Sequence, residues 1–305
     1  MKISKISGGS MVTSADLLIC GCGYEDRCIE YAKSTLNIPI KKRVVWCFEN
    51  EGVGNAETYK KNIKFFEDNH FLFFYPNRGD INSHLETLLA DESNVVASVV
   101  VDYSSMVREW YAYILEFIKK NILPCDTIDC SMVYTYSHFM RLPSNCHVDG
   151  VAPMRGYNNI TPPDKPTALI IGLGTEIGIG YYLKEYFDAD CVHYFYSENQ
   201  YVDNMPTIHE TDLNDVEKNH IHPFSLERPM VTLHNLLDLY RSLESDYRVV
   251  IFPCGPKQFT LLSFILHQII PSINIWTANL SKNYVEKDRI DNQVTTTTVV
   301  VTYKK

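Results

Sequence analysis

The sequence predicts an α/β protein built from two tandem doubly wound, mostly parallel sheets related by internal duplication. Three observations predict it. Short runs that are apolar at every position (LLIC, VVWCF, SVVVD, ALIIG, VHYFY and VVIFP) have the β-branched and aromatic character of strands buried on both faces. Helix-like stretches such as EDRCIEYAKSTL and NAETYKKNIKFFEDN lie between them, and alternating strand and helix signals wind a chain into a sheet with helical crossovers. Four segments of the first half also recur in the same order in the second, offset by about 150 residues throughout.

Residues 1–14 carry lysines without the apolar core of a secretory leader, and read as a flexible tail. The first unit opens at DLLICGCGYEDRCIEYAK (16–33), matched by TALIIGLGTEIGIGYYLK (167–184). Gly21 aligns with Gly172, Gly23 with Gly174, Glu25 with Glu176, Tyr31 with Tyr182 and Lys33 with Lys184. The second strands, VVWCFENEGVGN and VHYFYSENQYVDN, each run into Glu-Asn, at Glu49-Asn50 and Glu198-Asn199. Further on, VVVDYSSMVREWYAYILEFI matches VVIFPCGPKQFTLLSFILHQI as apolar strand, polar turn and apolar helix, and SMVYTYS matches INIWTAN. Each unit is therefore expected to be Rossmann-like. Unit 1 covers 15–140 and unit 2 covers 167–305, joined by a linker at 141–166 whose Pro, Gly and Asn interrupt any strand or helix pattern. The C-terminal TTTTVVVTY (295–303) reads as one more strand, at a sheet edge of the second unit.

Composition narrows the function. With 45% hydrophobic and 21% charged residues, the 305-residue chain is globular in character. A net charge of −9 and the lack of a long basic run exclude a broad nucleic-acid surface, which needs clustered Lys and Arg to neutralise phosphates. No apolar run reaches the roughly 18 residues that span a bilayer, so no membrane partner is expected. Several of the nine cysteines fall inside core strands, where a reduced thiol behaves as a small hydrophobe; this usage suits a reducing cytoplasm. Cys20 and Cys22 have no second pair at zinc-site spacing, and His193, His220 and His222 have no partner at ligand spacing, so no metal is expected. The histidines read as exposed or core-edge residues.

Ligands of open α/β sheets bind outside the carboxyl ends of the strands. The turn after each unit's first strand is the first place to look: Gly21, Gly23, Tyr24, Glu25, Asp26 and Arg27 in unit 1, and Gly172, Gly174, Thr175 and Glu176 in unit 2. Glycine lets backbone approach a phosphate, and the helix that follows offers free N–H groups and a positive dipole end. Neither turn is the full dinucleotide fingerprint, and a tight strand-to-helix turn would need the same glycines. Arg27 either pairs a phosphate or is held by a nearby acid such as Glu30. The turn after the fourth strand carries Asp102, Ser104, Ser105 and Arg108 in unit 1, and Pro253-Cys254-Gly255-Pro256-Lys257 in unit 2. A serine there can cap the helix, but Arg108 in the first turn opposes the helix dipole, which an anion bound at that point would relieve. Glu49 and Glu198 stand where nucleotide binders place an acid for ribose hydroxyls. Tyr134, Tyr136 and His138 end the fifth strand and could line a base pocket, and Cys22 lies near a helix start that could activate a thiol. No phosphate-binding P-loop and no nucleophile elbow is present in the sequence.

The D-x-S-x-x-x-R of unit 1, Asp102, Ser104 and Arg108, resembles the signature after strand four of CARF domains, the Rossmann-like sensors of cyclic oligoadenylates in prokaryotic antiviral systems. In unit 2, Phe252 stands at the aspartate position and Lys257 is displaced by about one residue, so only unit 1 carries the pattern. The resemblance implies a nucleotide-type small molecule held by the loops at 21–27 and 102–108, with no further cofactor. Such domains act in pairs, which a second unit in the same chain or a homodimer would supply. No effector segment is legible in the sequence, which leaves the effector activity to a protein partner.

The leading expectation is therefore a nucleotide-binding sensor or regulatory subunit in prokaryotic antiviral defence. Unit 1 should dominate the polar contacts. Two alternatives stand beside it. One is an enzyme acting on a nucleotide or nucleic-acid component (a glycosidase, phosphodiesterase or methyltransferase), with Glu25, Asp26, Glu49 and Asp102 as acid/base groups or ribose contacts. The other is a scaffold subunit of a multi-protein defence complex.

Overall fold

The structure is a computed structural model that describes residues 1–49, 56–76, 79–90, 95–121, 123–140, 144–145, 148–159, 164–174, 176–198, 210–213, 216–280 and 288–305. Of these, 56, 137–140, 144–145, 210–211, 279–280 and 288–293 are described as backbone only. The chain forms two units: Met1–Ser137 together with Gln293–Lys305, and His138–Asn292.

In chain order, the elements before residue 141 are β1 (Lys2–Gly8), β2 (Ala15–Cys22), α1 (Glu30–Ser34), β3 (Ile40–Cys47), α2 (Ala56–Asp68), β4 (Leu72–Phe74), α3 (Ile81–Leu89), β5 (Ser98–Asp102), α4 (Arg108–Lys120) and β6 (Thr127–Met140). Then come β7 (Ser144–Asn145), β8 (Val148–Pro153), β9 (Thr167–Gly172), β10 (Glu176–Ile177), α5 (Ile179–Phe187), β11 (Cys191–Ser197), α6 (Glu210–Leu213) and β12 (Ile221–Phe224). The last are α7 (Pro229–Leu243), β13 (Arg248–Pro253), α8 (Lys257–Ile269), β14 (Asn274–Leu280) and β15 (Asp288–Lys304).

The first sheet runs β1-β15-β6-β5-β2-β3-β4 and the second β12-β11-β9-β13-β14-β8. In the first, β2 lies between β3 and β5, β3 pairs with β4 and β5 with β6, all in parallel. In the second, β9 lies between β11 and β13, and β11–β12 and β13–β14 are also parallel. Counted from its own first parallel strand, each sheet therefore has the order 3-2-1-4-5. Both sheets are mixed and mostly parallel, because an antiparallel strand is added beyond the fifth: β8 on β14 in the second, β15 and β1 in the first. The side chains of Asp129 and Thr135 on β6 meet those of Thr302 and Thr296 on β15, so these two strands run in opposite directions.

The sequence shows why each element forms. In β2 every residue but Asp16 is buried, as a strand covered on both faces must be. One face is closed by α1 and α2: Cys20, Cys22, Val45, Cys47 and Val100 pack with Tyr31, Ala32, Tyr59 and Phe66. α4 buries Trp110, Tyr111, Ile114, Leu115 and Ile118, and places Glu109 in its first turn and Lys119 and Lys120 in its last, in agreement with the helix dipole. α3 begins at Asp80, whose carboxylate accepts hydrogen bonds from the backbone N–H groups of Asn82 and Ser83. α8 is buried from Gln258 to Gln268; Gln258 Nε2 donates to Leu226 O and Ser263 Oγ to Phe259 O one turn back. Among the described residues no helix is long and apolar enough to cross a membrane.

Three segments differ from expectation. Lys2–Gly8, expected as part of a flexible tail, is a strand: Lys2 to Gly8 pair with Lys304 to Val299. Alternation in KISKIS and lysines on the open side are what a charged edge strand carries. The linker contains β8, which pairs with β14 from Pro153–Trp276 to Val148–Leu280. Its apolar residues are split by Asp149 and Gly150, so no continuous run betrays it, yet Val148 and Val151 pack on the core of unit 2. The C-terminal strand joins the sheet of unit 1, not that of unit 2, and buries Val299, Val301 and Tyr303 there.

Candidate functional site

At the carboxyl end of the first sheet, the turn after β2 and the turn after β5 are in direct contact. A methyl group on Gly21 would sit 2.8 Å from Met106 Cγ and 2.9 Å from the Met106 backbone nitrogen, and one on Gly23 would sit 2.8 Å from Ser105 Cβ. Both glycines are required by the packing of turn on turn. From α2, the buried Asn62 donates to Gly23 O at 2.9 Å and Glu25 O at 3.0 Å and fixes the course of the first turn.

Several candidate side chains are bound up inside this scaffold. Arg27 is only 6% exposed; its Nε donates to the Glu25 carboxylate and its Nη1 to Thr135 O at 3.0 Å. Burial disfavours the guanidinium charge, but Glu25 and Tyr134 outweigh it and hold the Arg27 pKa above its ordinary value. Of the two sequence alternatives for Arg27, pairing with an acid is the one seen, with Glu25 in place of Glu30. Asp102 and Ser104 are equally enclosed. The Asp102 carboxylate accepts from the Ser104 backbone N–H at 3.1 Å and from the Ser104 hydroxyl, which in turn accepts from Thr135 N–H at 2.7 Å. This chain ties the turn after β5 to β6. Neither serine occupies the N-cap of α4, which is Val107, a residue with no polar side chain to offer. Arg108 is the first residue of the helix and is partly buried.

Aromatic rings gather beside that helix start. Tyr24, after β2, stacks on Tyr59 at 4.7 Å and meets Phe48 at 5.9 Å. Phe48, after β3, stacks on Trp110 of the first turn of α4 at 4.7 Å. Rings that follow three strands adjacent in the sheet, β3, β2 and β5, thus converge, with Glu49 next to Phe48 and Arg108 two residues before Trp110 in sequence. Tyr24, Phe48 and Glu49 are partly buried, and Asp26 is exposed. Phe48 escaped the sequence reading because it looked like the end of an apolar strand. Tyr134 and Tyr136, by contrast, are core residues at 6% and 2% exposure, Tyr134 stacked on Tyr103. The side chain of His138 lies outside the described residues. Cys22 is buried, and hydrogen bonds with Cys28 and Cys47, together with burial, push its thiol pKa far up, which leaves no reactive thiolate.

The equivalent end of unit 2 is closed differently. A methyl on Gly174 would lie 2.6 Å from Cys254 O and one on Gly255 2.6 Å from Leu173 O, so here too the two turns touch. A methyl on Gly172 would meet the Phe259 ring at 2.5 Å. Glu176 sits in β10, paired with β7. Gly178 takes the left-handed φ of 82° that starts α5. At that start, the N–H groups of Gly178 and Tyr181 each donate to the carboxylate of Asp212 at 3.0 Å. Asp212 is 4% exposed, so the protein's own carboxylate fills the place an anion would take. Lys257 is the first residue of α8, as Arg108 is of α4, so the apparent displacement in sequence reflects a shorter turn. Glu198 is exposed at the end of β11, and Thr175 lies outside the described residues.

Elsewhere in unit 2, three histidines and a cysteine that sequence spacing left unpartnered come together. Cys191 Sγ lies 3.4 Å from His193 Nε2, His193 Nδ1 lies 2.9 Å from His222 Nε2, and the rings of His193 and His220 are 4.3 Å apart. Burial, with His220 and His222 beside it, lowers the His193 pKa to about 4. The cue was present in the sequence as C-x-H, which places two side chains on one face of β11, and as H-x-H, which ends a short turn at His220 and enters β12 at His222. Only the pairing of β11 with β12 makes them one cluster.

Comparison of the chain with protein-family models and with characterised proteins finds no match.

Proposed function

We propose that the chain is a nucleotide-binding sensor or regulatory protein whose ligand lies over the carboxyl ends of β2, β3 and β5 in unit 1. The observation that carries this is the convergence of Tyr24, Phe48 and Trp110 beside the start of α4, where Arg108 is the first residue. The partly exposed rings of Tyr24 and Phe48, with the buried Trp110 behind Phe48, are the surfaces that would take a nucleobase, and a helix N-terminus with a guanidinium accepts its phosphate. The strand order places these loops at the switch point of the sheet, where open α/β folds bind ligands. On this reading Glu25, Arg27, Asp102 and Ser104 hold the two turns in shape, and Tyr24, Phe48, Glu49, Ser105 and Arg108 meet the ligand. The Asp102, Ser104 and Arg108 pattern supports assignment to the CARF-like sensors and to antiviral defence. We further infer that the two units are duplicates: the shared strand order, the touching glycine turns and the cation at the first position of α4 and α8 support it. Asp212 then marks unit 2 as the copy that has lost its anion site.

Calorimetric titration of the full chain with a panel of cyclic and linear nucleotides tests the proposal. Saturable binding of an intact nucleotide supports it; no heat at high micromolar ligand overturns it, and recovery of an altered nucleotide by mass spectrometry turns the sensor into an enzyme. Arg108→Ala should weaken binding about tenfold or more, the 1.4 kcal/mol or above of a charge-assisted contact, with little change in melting temperature.

A further inference from the structure

We propose that Cys191, His193 and His220 form a zinc site in unit 2, with His222 as the group that orients His193. The donor atoms of Cys191, His193 and His220 lie within 4.8 Å of one another. A tetrahedral Zn²⁺ with a thiolate at roughly 2.3 Å and imidazole nitrogens at roughly 2.0–2.1 Å separates its donors by roughly 3.3–3.6 Å. The Cys191 Sγ to His193 Nε2 distance of 3.4 Å already matches that edge, and side-chain rotation of His220 supplies the rest. The ring of His193 is set for the task. Its Nδ1 is engaged by His222 at 2.9 Å, which leaves Nε2 facing the thiol, the arrangement in which metal-binding histidines are held from behind by an outer partner. His222 is itself fixed by stacking on Phe195 at 4.6 Å. Mixed thiolate and imidazole donors select a borderline ion of the zinc type over magnesium or calcium, which take oxygen ligands. His193 is buried and His220 is partly exposed, so the ion has a way in on the His220 side. Three protein donors leave one position for water or an exchangeable ligand.

The position of the cluster gives the ion a task. Cys191 opens β11 and His220 immediately precedes β12, so the site lies at the amino end of these two strands. β12 has four residues, stands at the edge of the sheet, and includes Pro223, which has no N–H to give to a ladder. A metal bridging Cys191 and His193 to His220 pins the start of this short edge strand to its neighbour.

Cobalt(II) titration of the full chain, followed by zinc competition, tests the site. The expected result is one Co²⁺ per chain with a thiolate-to-metal charge-transfer band, displaced by Zn²⁺ that binds at roughly micromolar Kd or tighter. Cys191→Ser should abolish the band. His222→Gln should keep it but weaken binding about 10–100-fold. His234→Ala, an exposed histidine on α7, should change nothing. Alkylation of the unmutated chain, mapped by mass spectrometry, gives a readout that needs no variant to fold: Zn²⁺ should protect Cys191 and leave Cys254 unaffected. Absence of the band, its survival in Cys191→Ser, or Cys191 alkylation that is indifferent to zinc overturns the site.

Discussion

At the scale of single residues, the polar groups at the carboxyl end of unit 1 divide into those enclosed within the turns and those that keep part of their surface exposed. The Glu25–Arg27 pair belongs to the first set. Arg27 is enclosed by Thr135 O and the face of Tyr134, its guanidinium 5.9 Å from the ring centroid, so its charge has left bulk water. A buried cation tolerates this only with a counter-charge at hand. Glu25→Ala should therefore destabilise the protein by about 3 kcal/mol, most of it the penalty of an uncompensated guanidinium. Chemical denaturation measures that loss, which separates this pair from Arg108, whose replacement should leave stability nearly unchanged.

At the scale of elements, the parallel strands of unit 1 are clasped at their amino ends by one carboxylate. Asp16 at the start of β2 accepts from the N–H groups of Ala97 and Ser98 at 2.9 and 3.0 Å and pairs with Lys41 of β3 at 2.7 Å. Burial alone would raise the Asp16 pKa, but Lys41 and the two backbone donors outweigh it and lower the value from 3.8 to about 2. A carboxylate whose folded pKa is depressed stabilises the fold above its unfolded pKa, and the gain is lost as pH falls through the folded one. The contribution is thus complete above pH 3.8 and disappears as pH drops towards about 2. Asp16→Asn should cost about 1–3 kcal/mol at neutral pH, and urea unfolding should find the gap between the two proteins closing over that acid window.

At the scale of the whole chain, unit 1 is made from both termini. β15 lies between β1 and β6 and contributes the fully buried Val301 and Tyr303. Val301→Asp places an unpaired charge in that core, at a cost of several kcal/mol. In a Trp276→Phe background the remaining tryptophans, Trp46 and Trp110, both belong to unit 1. Their fluorescence should show unit 1 melting at a markedly lower temperature in the Val301→Asp variant. A change confined to unit 2, read by hydrogen exchange, would contradict the pairing of β15 with β1.

The sequence by itself determined what depends on local pattern. Runs apolar at every position marked the strands buried on both faces, such as β2, β5, β9 and β13. Glycine turns after β2 and β9 and cations after β5 and β13 marked the ends at which a ligand is expected, because backbone approach and helix electrostatics need those residue types at those points. Tertiary structure decided what depends on partners distant in the chain. The edge strands β1 and β8 are half covered, so their alternation is too weak to stand out, and the sheet that β15 joins is a matter of register with β1 and β6. Whether Arg27 and Asp102 face a ligand or the interior depended on Thr135 and Ser104 coming to meet them. That Asp212 closes the start of α5 depended on α6 coming to lie beside that start, and that Cys191 and His193 meet His220 and His222 followed only once β12 lay beside β11, since spacing along a chain carries no information about elements that meet across a loop.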